Sequence, residues 1–376
     1  MEERSMSEND RRKFLKNMAG LGAGAALLTS CSQLVCDKET HQHESCGGSS
    51  EGGFSFVHIT DQHVQRKRHG VEGYKECVKS IKREPVSLEF AVMGGDLAFD
   101  GNYNPKEKFV DEVKLYRDIS RRLEIPFFHC MGNHDTLGLS PRRKVSIDDP
   151  DFGKKCIMRI LDWPSSYYSF DHKGWHFVVL DCIREIDHPE HGPIYTPAID
   201  EKQLKWLEAD LGRVAGKPTV AFTHVAAFCN IGQIQSNPDM KAMTGMVISN
   251  NKELRRIFER HNVKALVQGH SHDIEEFMYN DVWYVTSTAA SGAWWAGNWT
   301  GSKTGYTIFH CNGDRLSWEH KTYDWEARLE PDDDLERERI KEYRELQAKQ
   351  KLLKKQDIAK GSSFKPLPTP ELHVKL

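Results

Sequence analysis

Eight residues in five short fragments carry the chemistry open to this chain. Asp61 and His63 stand in ITDQHV, Asp96 in MGGDLAFDG, Asn133 and His134 in CMGNHD, His224 in FTHVAA, and His270 and His272 in QGHSHD. Carboxylate and carbonyl oxygens suit hard cations, whereas imidazole suits later first-row metals, so this mixture points to Mn, Fe or Zn rather than Ca or Mg. Two such ions about 3.5–4 Å apart need a shared ligand, and a carboxylate with two oxygens can bridge them. A pair of this kind clamps a phosphoryl group and lowers the pKa of a bound water, giving hydroxide near neutral pH.

The elements that must hold these residues are legible around them. Four fragments follow apolar, strand-like runs, FSFVHIT, LEFAVMGG, PFFHCMG and ALVQG, and the fifth follows TVAF. Open α/β sheets place their ligands beyond strand ends. Gly95, Gly132 and Gly269 beside the ligands are expected to let the backbone turn tightly there. Between the strands, VEGYKECVKSIKRE, IDEKQLKWLEADLGR and NKELRRIFERHN have helical patterning. NPKEKFVDEVKLYRDISRRL is a further helix, with Asn104 as its cap and Pro105 at the first helical position. Hairpins are expected at Lys173-Gly174, at Asn280-Asp281 and at Asn312-Gly313-Asp314. Alternating units first and hairpins later predict an α/β fold of two packed sheets with helices outside.

Read in order, D-x-H, G-D, G-N-H-[DE], a lone His and G-H-x-H resemble the signature of the calcineurin-like metallophosphoesterase superfamily, across residues 61–272. The resemblance implies a four-layer α/β/β/α sandwich of two mixed sheets with two divalent transition-metal ions (Mn, Fe or Zn) at the sheet ends. By position, it implies that Asp61, His63 and His272 bind one metal, that Asn133, His224 and His270 bind the other, and that Asp96 bridges them. His134 would stay off the metals and contact the phosphate or protonate the leaving oxygen. Purple acid phosphatases place an iron-binding Tyr three residues after the bridging Asp, where this chain has Phe99. Protein phosphatases place there an Asp that orients the catalytic His, a task left here to Asp100 or Asp135. With His63 in place, the D-x-H start most resembles the cyclic-nucleotide and glycerophosphodiester phosphodiesterase branch. The expectation is hydrolysis of a small phosphodiester by an activated hydroxide, with phosphomonoesters as the alternative. A non-catalytic, surface-anchored binding module would be marked by lost ligands, and none is lost.

The chain has 376 residues, 38% of them hydrophobic, and a net charge of −3, which gives no basic field for nucleic acid. Residues 1–30 read as an export signal: Arg11-Arg12 resembles the twin-arginine route, and LLTSC resembles a lipobox that implies lipidation of Cys31. The expectation is an exported periplasmic or cell-envelope lipoprotein, held to the membrane by its N-terminal lipid anchor. Residues 31–53 read as a flexible tether, 54–325 as the metallophosphoesterase domain, and 326–376 as a charged helix with an extended tail. The nine cysteines contain no C-x-x-C pair, which removes zinc-ribbon and thioredoxin readings. Trp294, Trp295 and Trp299 follow the second hairpin, where they stack on a base or sugar or else cap the sandwich edge. The run Arg66-Lys67-Arg68 attracts an anionic substrate or is a solvated loop.

Overall fold

The computed structural model describes residues 52–235, 245–298, 302–331 and 333. Arg11, Arg12, Cys31, the tether, Trp299 and most of the expected C-terminal helix lie outside the described residues. The strands are β1 Phe54–Ile59, β2 Leu88–Met93, β3 Phe127–His129, β4 Tyr168–His172, β5 Trp175–Val179, β6 Ile183–His188, β7 Gly192–Pro197, β8 Thr219–Phe222, β9 Val263–Gln268, β10 Glu275–Tyr279, β11 Val282–Thr286, β12 Gly305–Asn312 and β13 Arg315–Thr322. The helices are α1 Gly70–Ile81, α2 Lys106–Ser120, α3 Lys155–Ile160, α4 Glu201–Arg213, α5 Ile231–Gln235 and α6 Asn251–Phe258.

One sheet runs β13-β12-β1-β2-β3 and the other β10-β11-β9-β8-β5-β4. Both are mixed: β1, β2 and β3 are parallel while β12 joins β1 antiparallel, and β5, β8, β9 and β11 are parallel with antiparallel strands at each edge. The central strands read as unbroken apolar runs because both of their faces are covered. The two sheets meet through rings. Phe56 stacks between Phe90 (4.9 Å) and Phe309 (5.1 Å) in its own sheet and meets Phe222 of the other at 6.0 Å. On the opposite faces, Tyr74, Val78, Phe109 and Tyr116 from α1 and α2, and Leu207, Leu211, Leu254 and Phe258 from α4 and α6, complete the core. Two large mixed sheets with helices packed on them form the α/β fold that the resemblance implied.

The three hairpins turn where expected. Lys173 (φ 43°) with Gly174 (φ 84°), and Asn280 (φ 48°) with Asp281 (φ 62°), adopt the left-handed pairs that two-residue hairpins need. Helix α2 starts one residue late: Pro105 occupies the cap position, and the Asn104 side chain accepts from Lys108 at 3.1 Å instead of capping. The β6–β7 ribbon was not anticipated, because Arg-Glu-Ile-Asp and Gly-Pro-Ile-Tyr carry no apolar alternation. Six cysteines, Cys77, Cys130, Cys156, Cys182, Cys229 and Cys311, are free thiols.

Helix α2 also buries a carboxyl, Glu112, whose oxygens have no hydrogen-bond partner among the described residues and whose nearest cation is Lys108 at 3.7 Å. Burial pushes it up to about 8 against the pull of Lys108. The folded chain therefore keeps a proton that the unfolded chain releases near the ordinary glutamate pKa. This contribution to stability is full below that value and is lost as pH rises through about 8. Glu112→Gln keeps the shape without the charge. It is expected to raise the melting temperature at pH 8 and to change it little at pH 4.5; equal shifts at both pH values would refute the buried proton.

Candidate metal centre

Each strand end delivers its fragment to one place. Asp61 and His63 follow β1, Asp96 follows β2, Asn133 and His134 follow β3 in a short 3-10 turn, His224 follows β8, and His270 and His272 follow β9. Five of these residues hold left-handed backbone: Asp61 (φ 54°), His63 (41°), Asp96 (54°), His270 (72°) and His272 (62°). Non-glycine residues there cost about 1–3 kcal/mol each and persist where the surroundings over-determine them, as at functional sites. The surroundings here are ladder-like bonds between neighbouring ligand loops. Asp61 N donates to Gly95 O (3.0 Å), His63 N to Asp96 O (2.8 Å) and Gly269 N to His224 O (2.9 Å).

Two ligand groups result. Asp61, His63 and His272 form one, and Asp96, His224 and His270 the other, with the ligand atoms of each group within 4.8 Å of one another. Asp96 stands between them, its Oδ2 lying 3.5 Å from His63 Nε2 and 3.1 Å from His224 Nε2. Among the described residues, Asn133 Oδ1 is buried without a hydrogen-bond partner, as are Asp61 Oδ1, His224 Nε2 and His270 Nδ1.

The other nitrogen of every ligand imidazole is taken by a backbone carbonyl. His63 Nδ1 faces Phe99 O (3.2 Å), His224 Nδ1 faces Gly94 O (2.9 Å), His270 Nε2 faces Gly245 O (3.2 Å) and His272 Nδ1 faces Gly292 O. Carbonyls only accept, so each fixes a tautomer and turns the opposite lone pair inward. That leaves His63 Nε2 and His272 Nε2 as two lone pairs 3.2 Å apart, an arrangement a cation between them resolves. The donor set therefore fits metal ions: Asp61, His63 and His272 could hold one and Asp96, His224 and His270 another, with the unpartnered Asn133 Oδ1 as a further candidate ligand.

The electrostatics agree. Burial pushes His63 down to about 3 and His270 down to about 4, which keeps both neutral, as ligands must be. Burial also opposes a proton on His224, but Asp96 and Asp61 outweigh it and hold His224 up at about 9. That held proton sits where a cation would replace it.

His134 differs from the ligands. Its side chain is 22% exposed. Its backbone N–H donates to Asp96 Oδ1 at 2.8 Å, and its Nδ1 lies 3.4 Å from Asp100 Oδ1. Burial would lower its pKa, yet Asp96 and Asp100 together raise it to about 10. With a cation at Asp96 its share would be neutralised, and Asp100 would remain as the carboxylate facing His134 Nδ1. The choice between Asp100 and Asp135 is thus made by geometry. Asp100 is itself fixed by the N–H groups of Asn102 (2.9 Å) and Tyr103 (3.3 Å). Asp135 turns away and accepts from Gly132 N (2.9 Å), Asp96 N (2.9 Å) and Leu97 N (2.8 Å), tying two ligand loops together. Phe99 supplies its carbonyl to His63 and sets its ring edge-on to that imidazole, 6.3 Å between centroids.

Several expectations change. Gly95 makes the tight turn (φ 97°), but Gly132 is extended (φ −94°) and is needed for space: a Cβ there would lie 2.2 Å from Asp96 Oδ1. Trp294 is half-buried, with its ring 4.5 Å from that of His272 and 5.8 Å from that of His63, so it roofs the first ligand group. Trp295 does not reach the open site. It is fully buried, and its Nε1 donates to Gln62 O (3.1 Å) and His63 O (3.0 Å). Its ring fills the slot over Gly73, where a Cβ would come within 2.2 Å. Trp295 is therefore a strut under the His63 turn. Both arginines of the basic run are already paired, Arg66 with Asp111 at 2.7 Å and Arg68 with Asp333 at 2.8 Å.

Two residues on the open side had no sequence signal. Arg143 clamps the β6–β7 ribbon through His191 O (2.6 Å) and Pro193 O (2.7 Å), and the ribbon brings Tyr195 beside Asn133, within the field of Asp96. The backbone N–H of Tyr103 donates to Asp100 Oδ1, the oxygen that also faces His134 Nδ1.

Five strand ends bring together two groups of carboxylate and imidazole side chains that could each hold a metal ion, with Asp96 between them and His134 partly exposed. The chain belongs to the calcineurin-like phosphoesterase family, which it matches over residues 54–273. It is similar to a probable glycerophosphodiester phosphodiesterase of Arcobacter nitrofigilis, at 20% identity over 242 residues, 62% of this chain and 78% of that one. It is also similar to a probable cyclic nucleotide phosphodiesterase of Xenorhabdus bovienii, at 20% identity over 250 residues, 64% of this chain and 87% of that one. Among solved structures it resembles GAP50 of Plasmodium, with a TM-score of 0.47, 14% identity, and coverage of 74% of this chain and 90% of that one.

Proposed function

We propose that this protein is a metal-dependent phosphodiesterase acting on small phosphodiesters. The observation that carries the reading is one Asp96 oxygen set between two ligand groups, with His134 open above them. When bound, the two cations supply an activated water and neutralise charge developing on the phosphoryl oxygens. His134, held by Asp100, gives a proton to the departing oxygen, a role for which a buried acid partner and partial exposure suit it. Trp294 walls the site on the side of the first group. Both named relatives are called phosphodiesterases, which favours diesters over monoesters. The same reading puts the enzyme at the cell envelope, on the strength of Arg11-Arg12 and Cys31 alone.

The test uses the full chain, stripped of metal and then given Mn, Zn, Fe(II) or Mg in turn, with an aryl phosphodiester and the matching monoester. The expected result is metal-restored diester cleavage with little monoester cleavage. Preferential monoester cleavage would transfer the assignment to a phosphatase or nucleotidase. Two bound metals with no turnover of either ester would favour a binding module.

A further inference from the structure

A proton donor must lie within hydrogen-bond reach of the oxygen it protonates, so the departing alcohol of a phosphodiester sits on the His134 side of the centre. This argument rests on the phosphodiesterase reading. What lies on that side is built, not incidental. Asp100 touches His134 Nδ1 and accepts the N–H of Tyr103, so the proton donor and Tyr103 are positioned by one carboxylate. The Tyr103 ring carries the Arg142 guanidinium 5.2 Å from its centroid. The Arg142 main chain is anchored by its backbone N–H, which donates to the buried Ser140 Oγ at 3.2 Å.

Several cations nearby are committed to partners. Arg143 is bonded to three carbonyls, and Lys106 to Asp149 (2.6 Å) and Asp151 (3.0 Å). Arg66 and Arg68 have their own aspartates. Arg142 is exposed and has no carboxylate partner among the described residues, and its guanidinium is held over the ring of Tyr103, whose main chain shares Asp100 with the proton donor. A guanidinium held over a phenol ring keeps its charge and its outward donors free for a planar anion, which it can bind through two bonds.

We propose that Arg142 and Tyr103 form a leaving-group subsite that selects phosphodiesters whose departing alcohol bears a second anionic group, a carboxylate or a phosphate. Arg142 and Arg143 are adjacent in sequence, yet the fold gives Arg143 to the ribbon and Arg142 to the face of Tyr103.

The experiment uses the metal-loaded full chain and three methyl aryl phosphodiesters, with 4-nitrophenol, its carboxylated analogue or its phosphonylated analogue as leaving group. Comparing Arg142→Gln with the parent on each substrate cancels intrinsic reactivity. For the two anionic leaving groups, kcat/KM is expected to fall about 10- to 100-fold, the value of a charge-assisted hydrogen bond, and the fall should exceed that on the neutral substrate at least about tenfold. The loss should appear in KM, and Arg142→Lys should recover part of it. The two anionic arms show whether carboxylate or phosphate is preferred. Equal losses on the neutral and anionic substrates would overturn the subsite. If the parent cleaves none of the three, the phosphodiesterase reading fails by itself. Binding of the free carboxylated phenol by calorimetry then decides the subsite: weaker binding to Arg142→Gln supports it, and unchanged binding overturns it.

Discussion

Asp96→Asn is expected to lose at least about 10³-fold in kcat, the scale on which removing a charge-stabilising group acts at a reacting centre. It should also retain fewer than two metals by elemental analysis, while its circular dichroism stays that of the parent. Two facts set the size of the effect. Asp96 Oδ2 is the oxygen within reach of both His63 and His224, and asparagine offers one neutral oxygen where two charged ones stood. The fold should survive because the amide has the volume of the carboxyl, and the carbonyl side can still accept the His134 N–H. Turnover like that of the parent would remove Asp96 from the bridging position.

His134→Gln is expected to act differently. Loss of a positioned proton donor costs about 10²–10⁴-fold, and only where the leaving oxygen needs the proton. Alkyl phosphodiesters should therefore suffer the full loss, nitrophenyl esters much less, and metal content should not change. The dependence of kcat on leaving-group pKa should steepen. Asp100→Asn should give a weaker copy of the same pattern, since it holds the imidazole without touching substrate. A uniform loss across good and poor leaving groups would show that His134 binds the phosphate rather than protonating the alcohol.

Much of this centre is legible in the sequence, for a local reason. Each ligand fragment directly follows the strand that aims it, so Asp61, Asp96, His224 and His270 announce both their type and their place. What could not be read depends on contacts between distant segments. Asp100 and Asp135 are equivalent on paper; only the path of the loop after β2 gives one to His134 and the other to three N–H groups. Trp294 and Trp295 are adjacent and alike, yet one roofs the site and the other is buried, because Gly70 and Gly73 on α1 leave a slot for a single ring. Arg66 and Arg68 form an exposed basic run in sequence and lose that character to Asp111 and Asp333. The β6–β7 ribbon is polar and anchored from outside by Arg143, so no periodicity within it could reveal Tyr195.

The carbonyl partners of the four imidazoles have a consequence for how the centre changes over time. Where ligand histidines are oriented by side chains, one substitution can retune a single ring. Here the orienting atoms belong to Phe99, Gly94, Gly245 and Gly292 as main chain, present whatever residue stands there. Mutation cannot delete them; only movement of the loops can displace them. Ring orientation is thus inherited from the backbone path, and drift in the surrounding side chains leaves the ligands facing inward until the loops themselves give way.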